Sequence, residues 1–178
     1  MRNRIILSSA AIVAALCTVG SGPANAEPGV PVVTHPQEVP FEYRAGEVCA
    51  FPAHVEFPVS DLTQRTWYDD QGRPLFATET GALVLRATNL ATGRTVDRDI
   101  SGDGTLVYPT RDPGDFVLSG GDWSAGMHGT DSPASAQHHW YISRGFMSVR
   151  VTSKGGQTTR QLLALVGPYE DLCAALSN

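Results

Sequence analysis

Apolar and polar side chains alternate with a period of two along most of this chain. From Cys49 onward, Cys49, Phe51, Ala53, Val55, Phe57 and Val59 fall on one face, with Ala50, Pro52, His54, Glu56 and Pro58 on the other. That is the pattern of a half-buried strand. Pro52 and Pro58 lack an N–H, which predicts an edge position or a strand broken in two. Thr66-Trp67-Tyr68 and Leu75-Phe76-Ala77 flank Asp69-Asp70-Gln71-Gly72-Arg73-Pro74, a hairpin with turn residues in the right place. Residues 82–89 alternate again, 89–93 form a turn, and 95–100 return with Val96 and Ile100 opposing Asp97 and Asp99.

Two short apolar runs follow, at 105–108 and 116–118, and then a long irregular stretch over 120–137. The last third reads as a meander of strands over 139–143, 146–153 and 157–166, joined at Arg144-Gly145 and Lys154-Gly155-Gly156. Residues 162–166 are apolar throughout, which predicts a central strand buried on both faces. Pro168 sits at a permitted helix start, Glu170 and Asp171 favour a first turn, and 172–176 complete a short closing helix, which would bring Cys173 against the first strand. Many short strands with almost no amphipathic helix predict an all-β fold, an antiparallel β-sandwich with a short C-terminal helix.

The N-terminus carries a different pattern. Arg2 and Arg4 precede an apolar stretch over 5–19, and Ala24-Asn25-Ala26 offers small residues for cleavage before Glu27. This is the layout of a signal peptide over 1–26, too short in its apolar core for a membrane span of about 20 residues. Cys17 follows the bulky Leu16, which disfavours lipidation, so it leaves with the signal. Residues 27–40, with Pro28, Pro31, Pro36 and Pro40, read as a Pro-rich extended leader, and 41–178 as one domain. The expected location is secreted, with no membrane span after cleavage.

Cleavage removes two arginines and no acids, so the formal charge moves from −5 to −7, with 11 basic residues against 18 acidic ones. An acidic chain without basic clusters argues against nucleic acid as a partner. Cys49 and Cys173 are the cysteines that remain, and outside the cytoplasm such a pair is expected to bridge, two buried free thiols being the alternative. Closing a loop of about 125 residues would contribute on the order of 5 kcal/mol in the chain-entropy model.

Cys49-Ala50-Phe51-Pro52-Ala53-His54-Val55 resembles the Cys-x-Phe-Pro-Val opening of a group of small exported actinobacterial proteins. Thr88-Asn89-Leu90-Ala91-Thr92-Gly93 is similar to their Thr-Asn-x-x-Thr-Gly turn, and Asp171-Leu172-Cys173-Ala174-Ala175-Leu176 to their closing Cys-Ala-Ala-Leu. The resemblance implies an exported β-sandwich with paired cysteines and brings no activity with it. Residues 116–140 depart from its pattern.

Few clusters suggest chemistry. His128, Asp131, His138 and His139 lie close in sequence, and imidazole with carboxylate suits zinc or copper. His138 and His139 are neighbours on an expected strand and would face opposite ways, so the metal candidates reduce to His128, Asp131 and His138. A solvated loop accounts for the same letters. Residues 97–104 start like a calcium loop, but Tyr108 stands where a bidentate acid is required. Residues 121–126 miss the serine-hydrolase elbow, with Asp122 two positions before Ser124 instead of glycine. Among the aromatics, Trp123 and Tyr141 are the candidates for an exposed binding face. No cofactor motif is present. The expected function is therefore a non-enzymatic exported sandwich that binds an envelope polysaccharide or an extracellular protein. The alternative is a metal-dependent or hydrolytic enzyme using the His128/Asp131/His138 region.

Overall fold

A computed structural model describes residues 29–177; the expected signal peptide lies outside them. Its frame is one long hairpin, β3 (Ala53–Tyr68) with β4 (Pro74–Asn89). The Asp69 carboxylate accepts the backbone N–H groups of Gln71 and Arg73 at 2.9 and 2.8 Å and the Arg73 Nε–H at 2.9 Å, which fixes the turn. Halfway along, the β3 register shifts between Glu56 and Val59, around Pro58, which has no N–H for the ladder. On β4, Gly81 sits at φ +141°, and any Cβ there would collide with the Asp61 carbonyl. The hairpin bends at this level and changes partners.

On one side of the bend the start of β3 pairs β2 (Phe41–Tyr43), and the end of β4 pairs β5 (Thr95–Asp99). On the other side the end of β3 pairs β1 (Val32–Thr34). There the start of β4 pairs β6 (Gly102–Val107), which continues through β7 (Asp115–Gly120) and β10 (Phe146–Lys154) to β11 (Gln157–Val166). One nine-stranded antiparallel sheet thus has two wings. A second, three-stranded sheet orders β12 (Tyr169–Asp171), β9 (His139–Ser143) and β8 (Ser124–Met127).

Alternation on β9 shows where the small sheet sits. Trp140 and Ile142 pack with Val55, Leu85, Ala87 and Ile100 of the first wing. Tyr141, with Ala125 and Met127 of β8, packs with Met147 and Val149 of the second. The small sheet is therefore the filling between the wings, and the sheets form an open sandwich rather than a closed barrel. β9 is buried on both faces, with Trp140 1% exposed on one and Tyr141 6% on the other. Residues 162–166, expected in that role, instead lie on β11 at the end of the large sheet, with Leu163 49% and Val166 62% exposed. Apolar content alone does not distinguish a central strand from an edge.

Three further expectations change. Residues 32–34 of the expected leader are three β-branched residues that pair with β3 as an edge strand. Val59 leaves the buried face because of the shift at Pro58 and is 41% exposed. The irregular stretch over 120–137 contains β8 and a 3-10 turn at Ala134–Ala136.

The closing helix begins later than expected, because 169–171 pair with β9 as β12, but the C-terminus is bridged as expected. A disulfide joins Cys49 to Cys173 on α1 (Leu172–Ser177). Asp171 accepts the Cys173 N–H at 2.9 Å and the Trp140 N–H at 3.2 Å, linking α1 to the filling sheet. Buried Asn89 donates to the Leu176 carbonyl at 3.1 Å. A half-buried ion pair, Arg98 with Glu170, ties β5 to β12 and lowers the Glu170 pKa. Among the described residues no helix is long and apolar enough to cross a membrane.

Candidate functional site

The loop between β8 and β9 brings His128 and Asp131 together, but not as a metal site. Asp131 is fully buried as a side chain. Its Oδ2 accepts the His128 backbone N–H at 2.6 Å, and its Oδ1 accepts the Arg160 N–H at 2.7 Å. An Arg160 guanidinium nitrogen lies 3.1 Å from His128 Nδ1. Guanidinium only donates, so Nδ1 accepts and the ring proton resides on Nε2. Nε2 is buried and has no hydrogen-bond partner among the described residues. Burial, and then the Arg160 charge, hold the His128 pKa below its ordinary value, so the ring is neutral at pH 7. Tyr43 packs edge-on to both His128 and Trp140, at 5.6 and 5.4 Å between ring centres. Gly126 permits this approach, because a Cβ there would meet the Tyr43 hydroxyl at 2.6 Å. His138, at φ +60°, is exposed and lines an apolar cavity with Phe51 and Cys173. Among the described residues, no three His, Cys, Asp or Glu side chains are grouped to hold a metal ion.

The other chemical candidates resolve in the same way. Ser124 Oγ accepts the Trp140 indole N–H at 2.8 Å and has no hydrogen bond to a histidine among the described residues. Asp97 of the calcium-like stretch is engaged by both ends of the Arg86 fork, at 2.7 and 2.8 Å. Tyr141 is 6% exposed inside the core. Trp123 is half-buried against the same cluster, its indole N–H donating to the Met147 carbonyl at 3.2 Å. These two rings are held by packing and offer no open platform.

The open platform is elsewhere. Opposed residues of an antiparallel sheet share a face, so the register writes out rows across the second wing. Trp67, Phe76, Val107, Val117, Arg150 and Gln161 form one row over β3, β4, β6, β7, β10 and β11. Arg65, Thr78, Thr105, Ser119, Ser148 and Ala164 form the next. At about 4.8 Å between strands, a row is about 24 Å long. The buried clusters draw on the opposite face, through Ala77, Leu106, Leu118, Val149 and Leu162. Most of these two rows looks outward, with Val107 44% exposed and Thr105, Arg65 and Gln161 also exposed, whereas Ser148 is 7% exposed.

The outer face changes character along its length. Trp67 and Phe76 lie 5.6 Å apart at a 36° tilt and, with Val107 and Val117, make an apolar end. Hydroxyls follow, Ser119 and Ser148 sharing a hydrogen bond of 2.8 Å. At the far end Arg150 is held by Asp115 through two bonds, at 2.8 and 2.9 Å. The Arg150 charge and the hydroxyls of Thr110 and Thr152 hold the Asp115 pKa at about 2.

Comparison with known proteins assigns no family: no family model matches the chain, and neither a curated protein nor a solved structure matches it. The outer face is therefore read on its own chemistry. Trp67 and Phe76 were legible as strand residues, and alternation places them opposite Ala77. Only the pairing of strands distant in sequence shows that the core is on the Ala77 side.

Proposed function

We propose that this chain is an exported, non-catalytic binding module that holds an envelope polysaccharide across its outer sheet face. The observation that carries the reading is the pair of outward rows, aromatic at one end and lined with hydroxyl and amide groups toward the other. Aromatic faces accept the apolar faces of sugar rings, and hydroxyls and amides both donate and accept toward sugar hydroxyls. An open face about 24 Å long suits an extended polymer better than a small ligand, which prefers a concave pocket. The bridge between Cys49 and Cys173 fits an oxidising compartment, in keeping with the signal layout and with the resemblance to exported actinobacterial proteins.

The test is retardation of the mature protein in native gels containing soluble envelope polysaccharides, with W67A/F76A as the paired variant. The wild type should be retarded, and the variant should bind at least tenfold more weakly while its melting transition stays cooperative. Equal retardation of both proteins would remove the outer face as the site. Binding to an extracellular protein with no retardation by any polysaccharide would replace the polymer with a protein partner.

A further inference from the structure

The β10–β11 end of the outer face holds a depression of about 310 Å³, bounded by Arg150, Arg160 and Gln161. The hydroxyls of Thr130, Ser132, Thr152 and Thr159 complete its lining. Every one of these side chains can donate a hydrogen bond, and none is acidic.

Arg150 is the guanidinium that this face presents; Arg160, opposed to Val151 and one residue before Gln161 on β11, turns its side chain to the other face, toward His128. Arg150 gives Nε and Nη2 to Asp115, which leaves Nη1 without a partner among the described residues. The carboxylate that steadies it lies on the same face, since Asp115 opposes Thr152, but does not line the depression. The Asp115 side chain is 9% exposed and also engages Thr110 and Thr152. A guanidinium held in place by its own partner loses little freedom on binding a further oxygen ligand.

We infer that this depression is a subsite for an oxyanion: the carboxylate or phosphate of an acidic unit in the bound polymer. The inference rests on the polysaccharide reading above and narrows it. A polymer stacked on Trp67 and Phe76 meets Arg150 three strand spacings beyond Phe76, about 14 Å away. The recognised polysaccharide is thus one that carries acidic units among neutral ones.

Isothermal titration at low ionic strength with glucuronate, inorganic phosphate and glucose tests the subsite apart from any polymer. Gel retardation with a polyuronate and its carboxyl-reduced form then tests the preference. The decisive variant is Gln161→Glu, which puts a like charge at an exposed position and leaves the Arg150–Asp115 pair intact; Thr159→Glu is its companion should Gln161→Glu not fold. Glucuronate or phosphate should bind at least tenfold more tightly than glucose. The variant should lose that margin. Binding of phosphate but not glucuronate assigns the acidic group as a phosphate ester, and the reverse assigns a carboxylate. Neither anion exceeding glucose, or an unchanged Gln161→Glu, overturns the subsite. Retardation by the reduced polymer as strong as by the polyuronate overturns the acidic preference and leaves the polysaccharide reading standing. Anion binding without retardation by any polymer keeps the subsite and overturns that reading.

Discussion

Opening the bridge between Cys49 and Cys173 should be the most damaging covalent change available to this domain. The sequence separation is 124 residues, and in the chain-entropy model a loop of that size restrains the unfolded chain by about 5 kcal/mol. For a domain near 150 residues each kcal/mol moves the midpoint by about 2–4 °C, so reduction should lower it by about 10–20 °C. The assay is urea unfolding of the oxidised protein, the reduced protein and C49A/C173A. Reduction keeps both sulfur atoms, whereas the double variant also removes the packing of Cys49, which is 2% exposed, for about 1 kcal/mol more. A released chain is more expanded when unfolded, so the denaturant slope should rise in both arms. A reduced protein that loses less than about 1 kcal/mol with an unchanged slope would refute the reasoning. It would mean that Asp171, Asn89 and the core side chains of α1 hold the C-terminus unaided.

Three further outcomes are expected. Asp115 has its pKa lowered to about 2, so its pairing stabilises the fold above the ordinary carboxylate value of 3.8 and fades as pH falls toward 2. Because Arg150 is 39% exposed, solvent screening reduces the contribution to about 1 kcal/mol; Asp115→Asn should flatten the stability profile between pH 4 and 2 by that amount in acid-titrated urea melts. Ile142→Ala, at a position 0% exposed, should cost about 3–4 kcal/mol in the same melts, and a loss under about 1 kcal/mol would contradict burial between the wings. Leu163→Lys, at a position 49% exposed, should change stability by less than about 0.5 kcal/mol, whereas a central strand at 162–166 would make it severe.

Local chemistry was the legible part of this chain. The Asp69 turn, the Asn89 turn, the period-two strands and the short closing helix each depend on residues within a few positions of one another. The cysteine pair was legible because the expected signal peptide would take Cys17 with it, and two cysteines expected outside the cytoplasm favour bridging. What escaped was everything set by partners far along the chain. His139-Trp140-Tyr141-Ile142-Ser143 looked like the first strand of a meander with 146–153, but β9 pairs β8 and β12 instead of β10, and only the wings on either side reveal that both of its faces are covered. Residues 162–166 looked central because they are apolar, but the sheet ends there. Trp123 and Tyr141 looked like candidates for exposure because their stretch is irregular or mixed, yet it folds into the filling. Trp67 and Phe76 sat in a recognised hairpin, and nothing within that hairpin says which side the rest of the molecule will cover.

The order in which the chain emerges has a bearing on the filling sheet. The first wing is built from residues 41–99, but the side chains that cover its apolar face, Trp140 and Ile142, come some forty residues later. A chain delivered N-terminus first therefore presents Val55, Leu85 and Ala87 to water until β9 arrives. β9 in turn has no cover for Tyr141 until β10 and β11 follow. Folding must close in the last third and at long range, which is a slow topology. A helper that shields strands during that interval would matter more to this protein than its final stability suggests, and truncation after residue 138 should leave an aggregating fragment instead of a smaller domain.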